Sequence, residues 1–182
     1  MKTIPTGVRE LDSVRIPCTL GFPCGRHSYV AGKPGTGKST FLECTARAAL
    51  NNGLRVYWAT WAEWSSKQPI QSELTRVIEP EVGDLQAAFE GCFDLYLLDG
   101  FQLMPNAMKV NKPSKKTIVF AWRIRVNCEP GDMAQPSLIE QWGSTVGQVI
   151  YLERNPRDRF KAYVFRPGEV LFRGVVTGLN RT

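Results

Sequence analysis

The sequence predicts an α/β fold: a mostly parallel, twisted sheet flanked by helices and closed by a C-terminal antiparallel hairpin. Two observations carry this. Short apolar runs of strand length alternate with helix-like stretches along most of the 182 residues, and a glycine-rich loop joins an early strand to a helix. Hydrophobic content of 43% and charged content of 22% are ordinary for a globular chain, and residues 1–182 are read as one domain with one continuous core. No apolar run approaches the roughly 20 residues that cross a bilayer. The opening residues, Met1 to Gly7, lack the apolar centre of a secretion signal.

The elements follow in chain order. Residues 6–14 read as a short capped helix with Val8, Leu11 and Val14 on one side. A loop rich in Gly and Pro leads to a strand at 27–31, and the helix after the glycine-rich loop places Phe41, Leu42, Thr45, Ala49 and Leu50 on one face. Asn51-Asn52-Gly53 stops that helix. A buried strand is expected at 54–60, helices at 70–78 and 82–90, and a strand at 93–99 that ends in an acid. Residues 105–116 read as a polar loop, 117–122 as a strand, 126–136 as a second irregular segment and 138–142 as a short helix. A strand at 146–152 precedes two strands within 160–176 that turn at Pro167-Gly168.

The chemistry is concentrated between Gly32 and Ser39, where Gly32-Lys33-Pro34-Gly35-Thr36-Gly37-Lys38-Ser39 matches G-x-x-x-x-G-K-[ST]. Backbone N–H groups must curl around a triphosphate, and glycines allow conformations and approaches that a Cβ blocks. The helix N-terminus behind the loop, including Thr40, adds partial positive charge. Lys38 is expected to reach the β- and γ-phosphates, and the Ser39 hydroxyl to hold Mg²⁺. A nucleoside triphosphate and Mg²⁺ are therefore the expected cofactors. Asp99, at the end of Leu95-Tyr96-Leu97-Leu98, is the expected acid that orients the metal, the alternative being a carboxylate that caps a turn. Glu63 is the expected group for positioning the attacking water, the alternative being a solvent-facing acid beside Trp61 and Trp64. Glu43 is less apt because it lies on the loop's own helix.

Five scattered cysteines and a single histidine supply no C-x-x-C pair and no zinc ligand set, so reduced thiols and a cytoplasmic setting are expected, or a host cytoplasm if the chain is phage-encoded. With 23 Lys and Arg against 17 Asp and Glu, the net charge of +6 suggests a polyanionic partner. Lys109, Lys112, Lys115 and Lys116 sit in the 105–116 segment without an acid, which suits sequence-independent phosphate contacts, or a solvated loop whose lysines only aid solubility. The 126–136 segment carries Glu129 and Asp132 and is the poorer phosphate binder.

Ile4-Pro5-Thr6-Gly7-Val8-Arg9-Glu10-Leu11-Asp12 resembles the I-P-T-G-x-x-x-L-D opening of the RecA-like ATPases, especially DnaB-type replicative helicases and RadA-like proteins. Gly21-Phe22-Pro23-Cys24-Gly25-Arg26 looks like their G-L-x-x-G-x approach to the phosphate loop, and Leu97-Leu98-Asp99-Gly100-Phe101-Gln102-Leu103-Met104 is similar to the DnaB-type I-D-Y-L-Q-L-M. The resemblance implies a RecA-like P-loop NTPase core with ATP bound between subunits of a ring or filament. It also implies single-stranded DNA gripped by two loops, the 105–116 and 126–136 segments. Carried over, Lys38, Ser39 and Asp99 keep their roles. Glu63 becomes the catalytic glutamate, one place later than the family pattern, with Ala62 at the simplest aligned position. Arg123 replaces the glutamine that senses the γ-phosphate in the helicases. Arg166 becomes the trans-acting arginine, or else a plain surface arginine, and Val164 stands where the family has a lysine. Arg154, Arg157, Arg159 and Lys161 form a further basic cluster that could lie at a subunit interface.

The expected function is a DNA-stimulated ATPase that assembles on single-stranded DNA in recombination, repair or replication. Without the helicases' added N-terminal domain or the RadA-like zinc motif, a phage-type or accessory recombination protein fits better than a processive helicase. The competing expectation is a low-turnover ATP-binding switch or scaffold for protein partners. A small-molecule kinase is disfavoured, since it has no need of the I-P-T-G-x-x-x-L-D opening.

Overall fold

The computed structural model describes residues 2–14, 20–61, 74–124, 146–155, 160–166, 169–177 and 179. The chain enters through β1 (Thr3–Ile4), which pairs antiparallel with β2 (Phe22–Pro23). Between them lies the single turn α1 (Arg9–Asp12), shorter than the helix expected over 6–14. Its acid explains the motif. Asp12 Oδ1 accepts hydrogen bonds from the Thr6 N–H (2.7 Å) and hydroxyl (2.8 Å), and Oδ2 accepts from the Gly7 N–H (3.0 Å). Thr6 passes the constraint on, since its carbonyl accepts from Thr45 Oγ1 at 2.7 Å. A Cβ on Gly7, at φ +77, would stand 2.1 Å from the Cys44 carbonyl oxygen, so only glycine lets this segment lie on the helix beneath.

The main sheet has eight strands in the order β10-β9-β8-β3-β7-β6-β4-β5. They are β3 (His27–Gly32), β4 (Val56–Thr60), β5 (Leu74–Ile78), β6 (Leu95–Asp99), β7 (Ile118–Arg123), β8 (Val146–Arg154), β9 (Phe160–Arg166) and β10 (Glu169–Val176). From β5 across to β8 every pairing is parallel, whereas β8, β9 and β10 run antiparallel. β3, β4 and β6 are buried along their whole length because both faces of the sheet are covered, which is why they read as unbroken apolar runs.

One face packs on α2 (Lys38–Asn51), whose Phe41, Leu42, Thr45, Ala46, Ala49 and Leu50 are buried against Trp58, Leu97, Val119 and Ile150. The other face is aromatic, with Tyr29, Tyr57, Tyr96 and Phe120. It is covered by α3 (Val82–Glu90) and by residues 101–117, whose Phe101, Met104 and Val110 are buried there. The helix expected over 82–90 is present with those bounds.

One expected element is overturned. Residues 74–78 of the predicted 70–78 helix form the edge strand β5, in parallel register with β4 from Val56↔Leu74 to Thr60↔Ile78. Thr75, Val77 and Ile78 are β-branched, and an open sheet edge offers their backbone a full ladder of hydrogen bonds that a marginal helix cannot match. The predicted helix at 138–142, the segment at 126–136 and the Pro167-Gly168 turn lie outside the described residues.

Candidate nucleotide site

The site forms at the carboxyl ends of β3, β7 and β6. β3 ends at Gly32, where a Cβ would meet Thr36 Oγ1 at 2.5 Å and the Leu152 carbonyl oxygen at 2.6 Å. Such crowding leaves room for hydrogen alone. The loop then folds on itself: Thr36 Oγ1 donates to the Lys33 carbonyl at 2.8 Å. Gly35 and Gly37 take left-handed φ of +75 and +81, and Gly37 serves as the N-cap of α2. Pro34 and Gly35 are exposed at the crest, while Lys33, Ser39 and Thr40 are half-buried. The result is a concave run of main-chain amides leading into a helix N-terminus, an arrangement that suits phosphate oxygens.

Lys38 opens α2 and curls back, its ammonium donating to the carbonyls of Gly32 (3.0 Å) and Lys33 (2.7 Å). Burial lowers its pKa to about 8, Asp99 opposing that shift and Arg123 adding to it. Asp99, 3% exposed, continues the alternation of Leu95 and Leu97 on the α2 side of the sheet. There it accepts a hydrogen bond from Ser39. Burial raises its pKa, countered by the Ser39 hydrogen bond and then by the charges of Lys38 and Arg76. A hydroxyl joined to a carboxylate beside an ammonium is a donor set for Mg²⁺ and a phosphate group. Ser39 and Asp99 would hold the metal, and Lys38 with the loop amides the phosphates.

β7 lies between the loop strand and the acid strand, with Gly32↔Arg123 and Asp99↔Ala121 in register. That insertion sets Arg123 between the loop and the acid, exposed at its strand end, where its charge acts on Lys38. Glu63 falls outside the described residues; the preceding Trp61 is tied to the acid strand through its N–H to the Asp99 carbonyl (2.8 Å). Glu43 is paired with Arg47 on the surface of α2 (2.7 Å).

Arg166 lies elsewhere. Its Nη2 donates to Gln148 Oε1 at 3.4 Å, and Gln148 is level with Ser28, four residues before Gly32. That is about 13 Å down the strands and two strands across, so Arg166 does not serve its own loop. Sequence reasoning missed Arg76. Its guanidinium lies over the Trp58 ring at 5.5 Å, and its charge reaches Asp99 from the edge strand. Alternation in a strand would have flagged it, had 74–78 been read as one.

A cavity of about 440 Å³ adjoins the loop, walled by Lys33, Thr36, Tyr151, Glu153 and Arg154 among others. The four lysines differ in their surroundings. Lys109, Lys112 and Lys115 are exposed, Lys112 also lying 5.8 Å and 5.9 Å from the Phe101 and Phe120 ring centres, while Lys116 is half-buried and donates to the Gly91 carbonyl (2.9 Å) above Tyr96.

No protein-family model matches the chain. No curated protein matches it. Among solved structures it is similar to a DnaB-like replicative helicase described with its interactions with primase. The TM-score is 0.66 and the sequence identity 11%, over 96% of this chain. The fold is RecA-like. The chain spans 60% of that helicase chain's length, and an identity this low speaks for architecture alone. Among the described residues no helix is long and apolar enough to cross a membrane.

Proposed function

We propose that the protein is an ATPase of the RecA superfamily that binds single-stranded DNA and takes ATP at a subunit interface. The observation that carries this is the convergence of Lys38, Ser39 and Asp99 at the mouth of a RecA-like sheet, beside a loop whose Gly32 has no room for a Cβ. Bound Mg²⁺ would draw charge from the β- and γ-phosphates. The chain's own groups do the rest. Loop amides and the Lys38 ammonium bind the triphosphate, Ser39 and Asp99 orient the metal, and Arg123 stands where the γ-phosphate is sensed. Glu63 positions the attacking water. Arg166, remote from its own loop, acts on the site of a neighbouring subunit. Lys109, Lys112, Lys115 and Lys116 contact the DNA backbone.

The setting is DNA recombination, repair or replication in the cytoplasm. Single-stranded DNA is expected to raise ATP turnover at low salt, and Lys38→Ala to abolish it. Mixing Arg166→Ala with Lys38→Ala subunits should restore part of the activity, since each mutant then supplies what the other lacks.

A second reading, a low-turnover ATP switch for protein partners, is favoured by one observation. Lys116 is held by the Gly91 carbonyl and the Tyr96 ring, and Lys112, though exposed, lies over the protein's own Phe101. Turnover indifferent to DNA, with no DNA retained in the presence of ATP, would select it.

A further inference from the structure

A concavity larger than the one beside the phosphate loop lies elsewhere. A cavity of about 750 Å³ opens above the ends of β4, β5 and β6, between the start of α3 and residues 103–109. Its walls are mainly apolar: Trp61, Pro80, Val82, Met104 and Pro105. Met104 is 4% and Trp61 7% exposed, so the walls are set by the core and are not loose surface side chains. Size and lining are those of a ligand cleft.

Three further observations converge on this place. Among the described residues, Glu79 (φ 48) and Asn106 (φ 60) are the two non-glycine residues with left-handed backbone, and both line the cavity. Such conformations are strained for residues with a side chain and collect at functional clefts. Leu103, on the lip, is 55% exposed, and Ile78, the residue before Glu79, is 68% exposed. They are two of the four large apolar side chains left exposed among the described residues. Trp61 also buries its indole Nε1 with no hydrogen-bond partner among the described residues.

Charge selects the occupant. In a chain of net charge +6, this cavity is lined by two acids, Glu79 and Glu81, against one cation, Lys109. Glu81 is already engaged in the capping box of α3 with Asp84. Glu79, whose N–H donates to the Thr60 carbonyl (2.9 Å), is exposed and lines the cleft. Carboxylates repel nucleic acid phosphates and attract cations, while the apolar walls call for a large side chain. We infer that this cleft is a docking site for a partner protein's peptide segment that carries one large apolar side chain flanked by arginine or lysine. The peptide's apolar side chain enters between Met104 and Trp61, and its cation meets Glu79. The site does not depend on the ATP reading, but it shares Lys109 with the proposed DNA contacts.

Two sets of labelled short peptides test it, both with a central leucine or phenylalanine, one flanked by arginine and the other by glutamate. The expected result is micromolar binding of the arginine set, with a shift of the Met104 methyl signal in NMR. Leu103→Asp, at an exposed position that spares the core, should weaken binding about tenfold. Glu79→Asn, which removes the charge but tolerates the left-handed backbone, should do the same. Magnesium-nucleotide binding should be unchanged in both variants. The inference is overturned if neither set moves the Met104 signal, or if the glutamate set binds as well. It is equally overturned if a thymidine oligonucleotide moves that signal in place of the peptides, or if sedimentation shows a self-associated chain that Leu103→Asp dissociates, making the occupant a second copy.

Discussion

The phosphate loop and the lysine-bearing segment both leave the carboxyl end of a sheet strand, β3 for one and β6 for the other, yet different forces hold them. The loop is held by itself. Thr36 bonds Lys33, Lys38 bonds Gly32 and Lys33, and left-handed glycines turn the chain within a few residues. The segment at 101–117 is held by distant partners. His27, on the sheet's first core strand, makes a 3.0 Å hydrogen bond to the Pro113 carbonyl, Lys116 reaches Gly91, and Val110 is buried on the aromatic face. A structure closed by local bonds can be read from local spacing. One closed by remote bonds cannot.

The sharpest way to break this contrast is at Gly32. In Gly32→Ala the new methyl would stand 2.6 Å from the Leu152 carbonyl oxygen, a backbone atom that cannot yield cheaply. Nucleotide affinity measured by calorimetry should fall about a hundredfold, while the sheet persists in circular dichroism. Affinity within about threefold of the original would mean the loop tolerates crowding and is not self-determined.

A second expectation concerns Lys38. Its pKa of about 8, against the usual lysine value of 10.5, means the free site gives up its proton early. The triphosphate binds the charged form, so binding above pH 8 must take up a proton. Affinity should be level below pH 8 and fall by up to about tenfold per pH unit from there to about pH 10. Affinity independent of pH across that window would show that the ammonium is not a phosphate contact.

The smallest effects separate the lysines. Lys109→Ala and Lys115→Ala should each flatten the dependence of DNA affinity on salt by about 0.7 in the log–log slope. Lys116→Met should leave that slope nearly unchanged and lower the melting temperature by about 3 °C, because it loses a carbonyl and a ring contact instead. Equal slopes for all three would erase the distinction.

Much of this protein was legible before any coordinates. The loop from Gly32 to Ser39, the buried face of α2, the acid ending β6 and the bounds of α3 all arise from short-range spacing, and short-range spacing is what a sequence states directly. The role of Asp12 as the clasp of the I-P-T-G segment needed the fold, since it acts by bonding backbone groups five and six residues away across a chain reversal. The fold also decided that residues 74–78 are a strand, because a β-branched run takes its state from the neighbour offered to it. With that came Arg76 beside Asp99, Arg123 between loop and acid, and Arg166 remote from both. Each is a matter of which strands lie side by side, and strand order is settled by the burial of two whole faces of the sheet rather than by any residue's immediate neighbours.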